Sequence, residues 1–328
     1  MSSEILIWAE ITHAKFIHPV TFELASKAIE LSCKKNNIPV SALIFLESEL
    51  TEDYKEVFCL NGFDKVYYVS CDKFNRYKSD IYAKAAIEAV KLISPEIMLT
   101  GATCQGRDLA PRISTALHTG LTADCTSLDI NEEGKLAATR PTFGGQLMAT
   151  ILSKNSPQMA TVRANVFKPL ENTVRKNTEF IKLDIDTSNL VSAIDITDFK
   201  KKISSSVNEI NSAEIIVAGG RGMQSKEGFE LLKQLAKKLG GVVGASRLAV
   251  EMGLADAQCQ IGQTGKTVSP KLYIACGISG ALQHTVGIAN STKIVAINSD
   301  KDAEIFKIAN YGFVGDAFEV IPKLIETL

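Results

Sequence analysis

The stretch QTGKTVSPKLYIACGISGALQH (263–284) sets a short apolar run, LYIAC (272–276), between polar and glycine-rich ends. Such a run reads as a buried strand. Beyond it come glycines, Ser279 and His284, at the carboxyl end of the strand, which is where open α/β sheets bind ligands. Working outward, the same pattern repeats. EIIVAGGRG (214–222) is a strand entering a glycine turn, and SKEGFELLKQLAKKLGG (225–241) is a helix with Ser at its start and a Gly pair at its end. KIVAINSD (293–300) and YGFVGD (311–316) are further strands. These strands finish at Gly219, Gly277, Asn298 and Asp316, so the C-terminal half is where a ligand is expected.

The first 120 residues alternate in the same way. ILIWAE (5–10), SALIFLE (41–47), VYYVS (66–70) and PEIMLTGAT (95–103) read as strands. HPVTFELASKAIELSCKKNN (18–37), an Ala-rich stretch over 79–93, and GRDLAPRISTALHTG (106–120) read as helices between and after them. Strand–helix alternation implies parallel βαβ units. From 125 to about 200 the turn signals NEEG and FGG separate short alternating runs, which predicts antiparallel hairpins, with FIKLDID (180–186) and SAIDITDF (192–199) extending the β character. KKISSSVNEINS (201–212) reads as a linker. The expected fold is α/β: two doubly wound Rossmann-like domains, residues 1–205 with an antiparallel β extension and residues 206–328 carrying the ligand site.

Composition narrows the function. At 328 residues the chain suits two domains of ordinary size. Lys plus Arg number 36 against 37 for Asp plus Glu, which leaves no field to draw in nucleic acid or an anionic membrane. No apolar run approaches the roughly 20 residues that span a bilayer. The N-terminus MSSEILIWAEITHAKF does not resemble a secretory signal, and the seven scattered cysteines contain no CxxC, so a reducing, cytoplasmic setting and no metal are expected. Cys276, inside LYIAC, reads as a small buried thiol.

Three clusters carry candidate chemistry. GGRG (219–222) is not the dinucleotide fingerprint, because Ser225 stands where its last glycine belongs. Its glycines would let backbone approach a phosphate and Arg221 could pair with a diphosphate; a tight turn with a solvated Arg accounts for it equally. GASRLAVEMG (244–253) opens a short helix with Arg247 in its first turn, where a cation opposes the helix dipole and calls for a compensating anion or a function. CGISGALQH (276–284) predicts a helix starting at Ser279 and Gly280, with His284 facing the same side. That imidazole could donate a hydrogen bond or carry charge near neutral pH. No nucleophile elbow, P-loop or paired carboxylates stand out, so the chemistry is expected to belong to a bound cofactor.

The order VVGASRLAVEMGL, CQIGQTGKTVSPKLYIACGISGALQHTVGI, KIVAINSDKDAEIF, YGFVGDAFEVIPKL, with GGRG before it, resembles the C-terminal domain of the electron transfer flavoprotein α-subunit family. LTGATCQGRDLAPRISTALHTGLTADCT and RPTFGGQLMATI (140–151) resemble its bacterial branch. The resemblance implies one FAD in the second domain. Its binding positions would be Arg221, Ser246, Arg247, Gln260, Ile261, Gly262, Gln263 and Thr264, then Ser279, Gly280, Ala281, Leu282, Gln283 and His284, then Asn298, Asp316 and Ala317. Arg247, His284 and Thr264 would tune the flavin, with Arg247 and His284 beside the ring, His284 toward its C2 carbonyl and Thr264 near N5. A cation and an imidazole there would stabilise the negative charge of the one-electron-reduced ring.

The resemblance further implies an αβ heterodimer whose β subunit packs on the first domain and holds AMP or a second FAD. With two FAD, electrons from NADH would divide between ferredoxin and an acyl-CoA dehydrogenase or similar flavin dehydrogenase, and the bacterial-type motifs favour that version. The alternatives are a carrier with one FAD plus AMP, and a non-redox module binding an adenine nucleotide. No cysteine-rich, ferredoxin-like N-terminal extension is read in the chain.

Overall fold

The computed structural model describes residues 3–12, 15–142, 147–170, 176–198, 210, 213–289 and 291–328. They fall into two compact units, one made of the described residues up to 198 and the other of those from 210 on. The FGG turn, the boundary at 205 and most of the expected linker at 201–212 lie outside the described residues.

In the first unit the chain runs β1 (Ile5–Trp8), α1 (Val20–Cys33), β2 (Val40–Leu46), α2 (Glu52–Leu60), β3 (Lys65–Ser70) and α3 (Ser79–Ile93). It continues through β4 (Ile97–Gly101), α4 (Cys104–Ala116) and β5 (Leu121–Cys125). Then come β6 (Ser127–Ile130), β7 (Leu136–Thr142), β8 (Leu147–Leu152), β9 (Gln158–Val162) and β10 (Glu179–Lys182). Seven strands make one parallel sheet in the order β10-β3-β2-β1-β4-β9-β5, while β6-β7-β8 form the antiparallel extension. Alternation along β1 explains the double winding. Ile5 and Ile7 join the core under α1, with Leu24, Ala28 and Leu31, while Leu6 and Trp8 face Ile81, Ala85 and Leu109 of α3 and α4.

Two strands differ from the hairpin expectation for 125–200. QMATV, β9, is buried at every residue and lies between β4 and β5 in the parallel sheet, because an apolar run covered on both faces belongs in such a sheet and not on a half-solvated hairpin. β10 pairs in parallel with β3 at the sheet edge, and residues 192–198 form no strand.

The second unit runs β11 (Ile215–Gly219), α5 (Lys226–Leu239), β12 (Val242–Ala245), α6 (Arg247–Glu251), β13 (Leu272–Cys276), α7 (Leu282–Thr285), β14 (Lys293–Asn298), β15 (Tyr311–Val314) and α8 (Ala317–Thr327). All five strands are parallel in the order β12-β11-β13-β14-β15. Ile216, Ala218, Tyr273 and Ala275 fill one face, and Val217, Ile274 and Cys276 pack on Leu232 and Leu235 of α5 and Ile321 of α8 on the other. α5 begins where the Ser225 hydroxyl accepts from Gly228 N at 3.3 Å, a cap worth about 1 kcal/mol, and ends at Gly240 in the left-handed region. The strand order reverses between β11 and β13, and a doubly wound sheet leaves its ligand crevice at that switch point.

Candidate functional site

β11 and β13 end level with each other, Gly219 opposite Cys276. Gly222 N then donates to Gly277 O at 3.0 Å, and a Cβ on Gly220 would fall 2.2 Å from that same oxygen. These glycines therefore serve the close approach of one strand-end loop to the other, the turn reading of GGRG, and Gly220 and Gly222 also border the adjoining cavity. Arg221 between them is exposed, and its guanidinium has no protein partner among the described residues.

A cavity of about 620 Å³ opens over this switch point, within the usual size range of small-molecule sites. Arg221 borders it after β11, Ser246 and Arg247 after β12, and Ser279, Ala281, Gln283 and His284 after β13. Ile261, Gly262, Gln263 and Thr264 come from the loop before β13, and Asn298 ends β14. The other expected positions do not line the cavity. Gln260 Nε2 instead donates to Thr264 Oγ1 at 3.0 Å, leaving the Thr264 O–H free to donate elsewhere. Asp316 caps α8, its Oδ1 accepting from Phe318 N at 2.9 Å, and Ala317 is buried in the core. Leu282 begins α7, and Gly280, at φ +85°, brings its backbone so close to Ile305 that a Cβ would lie 2.1 Å from its nitrogen.

Two local expectations are revised. α6 is a single turn, and Arg247 Nε donates to Glu251 Oε1 at 2.7 Å, so the compensating anion comes from the same helix. α7 starts at Leu282, not Ser279, so helical phase does not align His284 with Ser279. The imidazole turns inward and is only 6% exposed. Its Nδ1 lies 3.1 Å from Ile261 O and its Nε2 2.9 Å from the Tyr273 hydroxyl. Burial pushes its pKa down to about 4, against a smaller opposing effect of the Ile261 carbonyl, so it is neutral near pH 7.

Besides Gly220, Gly222, Gly277 and Ile278 of the two strand-end turns, the lining includes Leu248, Glu251, Asp300 and Ala303, and none of these eight was among the expected positions. Glu251 was readable from its spacing four residues after Arg247 on a helix. Asp300 had no such signal; its amide is held by Asn298 Oδ1 at 3.0 Å, and Asn298 Nδ2 donates to Ile278 O at 2.9 Å. Among the described residues no helix is long and apolar enough to cross a membrane.

Residues 5–188 match the model of the electron transfer flavoprotein domain, and residues 209–289 that of the electron transfer flavoprotein FAD-binding domain. The chain is 47% identical over 326 residues to the electron transfer flavoprotein subunit alpha of Thermoanaerobacterium thermosaccharolyticum, covering 99% of this chain and 97% of that one. It is 49% identical over 270 residues to Protein FixB of Clostridium saccharobutylicum, covering 81% and 79%. A third relative is the subunit LctC of a lactate dehydrogenase (NAD(+),ferredoxin) from Acetobacterium woodii, 41% identical over 94% of this chain and 73% of that one. Likeness along nearly the whole length, with both domain models in register, makes this chain a member of the electron transfer flavoprotein α-subunit family.

Proposed function

We propose that the switch-point cavity binds one FAD and that the chain, joined to a β subunit, carries electrons between a flavin dehydrogenase and other redox partners. The observation that carries this reading is the convergence of Arg221, Arg247, Thr264 and Ser279 from four separate loops on one cavity of about 620 Å³. The donor set fits the cofactor. The Arg221 guanidinium suits a diphosphate, while Gln263, Gln283 and Ser279 have side chains without a protein partner among the described residues. Asp300 supplies an acceptor for hydroxyl and amine groups.

When bound, the flavin supplies one- and two-electron redox chemistry. Arg247 contributes positive charge, which favours an anionic ring over a neutral one and so raises the potential. Thr264, its oxygen already accepting from Gln260, offers a proton for hydrogen bonding. His284 contributes a neutral, fixed dipole, with its Nδ1 proton held on Ile261 O.

The finer reading is electron bifurcation: a second FAD in the β subunit, NADH as donor, and ferredoxin plus an acyl-CoA dehydrogenase-like flavoenzyme as acceptors. It is supported by the bacterial-type motifs of the first domain and by the relative whose name couples NAD(+) with ferredoxin. The test is NADH oxidation by the co-produced complex with each acceptor alone and with both together. Ferredoxin reduction that requires the second acceptor supports bifurcation. Electron flow with no such requirement would mean a simple carrier with one FAD plus AMP, and a folded complex without flavin would mean a nucleotide-binding module.

A further inference from the structure

We infer that Tyr273, which lies outside the cavity lining, is the positioning residue for His284, holding the ring by donating to Nε2 while the Ile261 carbonyl keeps the proton on Nδ1. Its relevance to flavin rests on the proposed FAD site; the hydrogen-bond geometry does not.

Tyr273 is the second residue of β13, level with Ile216 on β11 and Ile294 on β14, and fully buried. Its neighbours there include Ile261 and Ile288. A hydroxyl in such surroundings costs stability unless it is bonded. Its partner is His284 Nε2, 2.9 Å away across the turn that follows the strand. On the other side of the ring Nδ1 meets Ile261 O at 3.1 Å.

These two anchors differ in kind. A carbonyl only accepts, so Nδ1 must carry a proton, and Nε2 of the neutral ring then accepts from the Tyr273 O–H. Two contacts on opposite edges, from β13 and from the loop before it, fix both the tautomer and the ring's rotation. If Nε2 takes up a proton, Nδ1 still donates to Ile261 O, while the Tyr273 hydroxyl must reverse and accept, which leaves its own proton buried with no partner among the described residues. Tyr273 is therefore the contact that changes when His284 changes charge.

The test uses the full chain co-produced with its β subunit, as wild type, Tyr273→Phe, His284→Ala and the double variant. Histidine-selective ¹⁵N spectra should show His284 protonated on Nδ1 and unprotonated on Nε2, and Tyr273→Phe should move the Nε2 signal toward that of an unbonded nitrogen. FAD affinity should fall roughly tenfold in Tyr273→Phe, the scale of one buried hydrogen bond, and no further when that change is added to His284→Ala. An unmoved Nε2 signal, or additive losses, overturns the inference. Where Tyr273→Phe does not fold, the wild-type spectrum decides, since a proton on Nε2 in place of Nδ1 refutes the assignment. If wild type binds no FAD, the cofactor reading fails and the spectra still decide the hold of Tyr273 on His284.

Discussion

Arg247 Nε donates to Glu251 Oε1 across 2.7 Å, one turn apart on a helix only five residues long. Both side chains are at least half exposed, so the pair itself contributes about 0–1 kcal/mol. Its importance lies in competition: an anionic ligand and Glu251 seek the same guanidinium. Glu251→Gln should therefore tighten FAD binding by about two- to fivefold, read by fluorescence titration. Weaker binding would mean that Glu251 itself holds the ligand.

Removing the guanidinium has the opposite effect. Arg247→Ala should weaken FAD by on the order of 10- to 100-fold, as for one charge-assisted hydrogen bond, and lower the potential of whatever flavin stays bound. Spectroelectrochemistry of the two proteins checks this. Unchanged affinity together with unchanged potential would remove Arg247 from the site.

Gln260 acts at one remove, through Thr264 Oγ1 at 3.0 Å. Gln260→Ala frees that hydroxyl to rotate, and FAD affinity should drop about three- to tenfold with the fold intact, given a neutral bond worth about 1 kcal/mol. Equal affinity would show that the orientation of Thr264 does not matter to the ligand.

His284 gives a pH signature. Its folded pKa is about 4, below an unfolded value of about 6.5. Between these values the unfolded chain binds the extra proton, so stability falls as pH drops from about 6.5 to 4, by roughly 3 kcal/mol in all. Glu10 and Glu23, whose pKa values burial raises, push the other way, so the difference between wild type and His284→Gln isolates the histidine. That difference should shrink steadily with falling pH in chemical unfolding; a difference constant between pH 7 and 4 contradicts the buried neutral ring.

Gly280 and Gly240 separate conformation from crowding. Both have positive φ, but a Cβ at Gly240 meets nothing within 4 Å, whereas at Gly280 it collides with Ile305 N. Gly240→Ala should cost about 1 kcal/mol and Gly280→Ala roughly 3 kcal/mol. Thermal melts with equal losses would mean that the Gly280 loop moves freely away from Ile305.

How much could be read from the residues alone follows from how local each determinant is. LYIAC, KIVAIN and the helix between Ser225 and Gly240 declare themselves through apolar runs and caps within the segment. QMATV did not, because its burial comes from β4 and β5, distant in sequence, and the surrounding turn signals favoured hairpins. In the site, the residue types around β13 marked a ligand crevice, and most of the expected positions do border it. Orientation was not legible. Nothing in ISGALQH says that His284 faces Tyr273 eleven residues earlier, or that Asp316 is occupied as a helix cap. Nor does GGRG say that its glycines pack on the loop at Gly277, 55 positions after Gly222 along the chain.

The most direct test of the central claim is to count the FAD and AMP released from the purified αβ complex, in wild type and with Arg247→Ala. Wild type should release two FAD and no AMP per complex, with one FAD lost or loosened in the variant. One FAD with one AMP would contradict bifurcation while keeping the cavity's assignment. A flavin content untouched by Arg247→Ala, or no flavin at all, would contradict the FAD site itself.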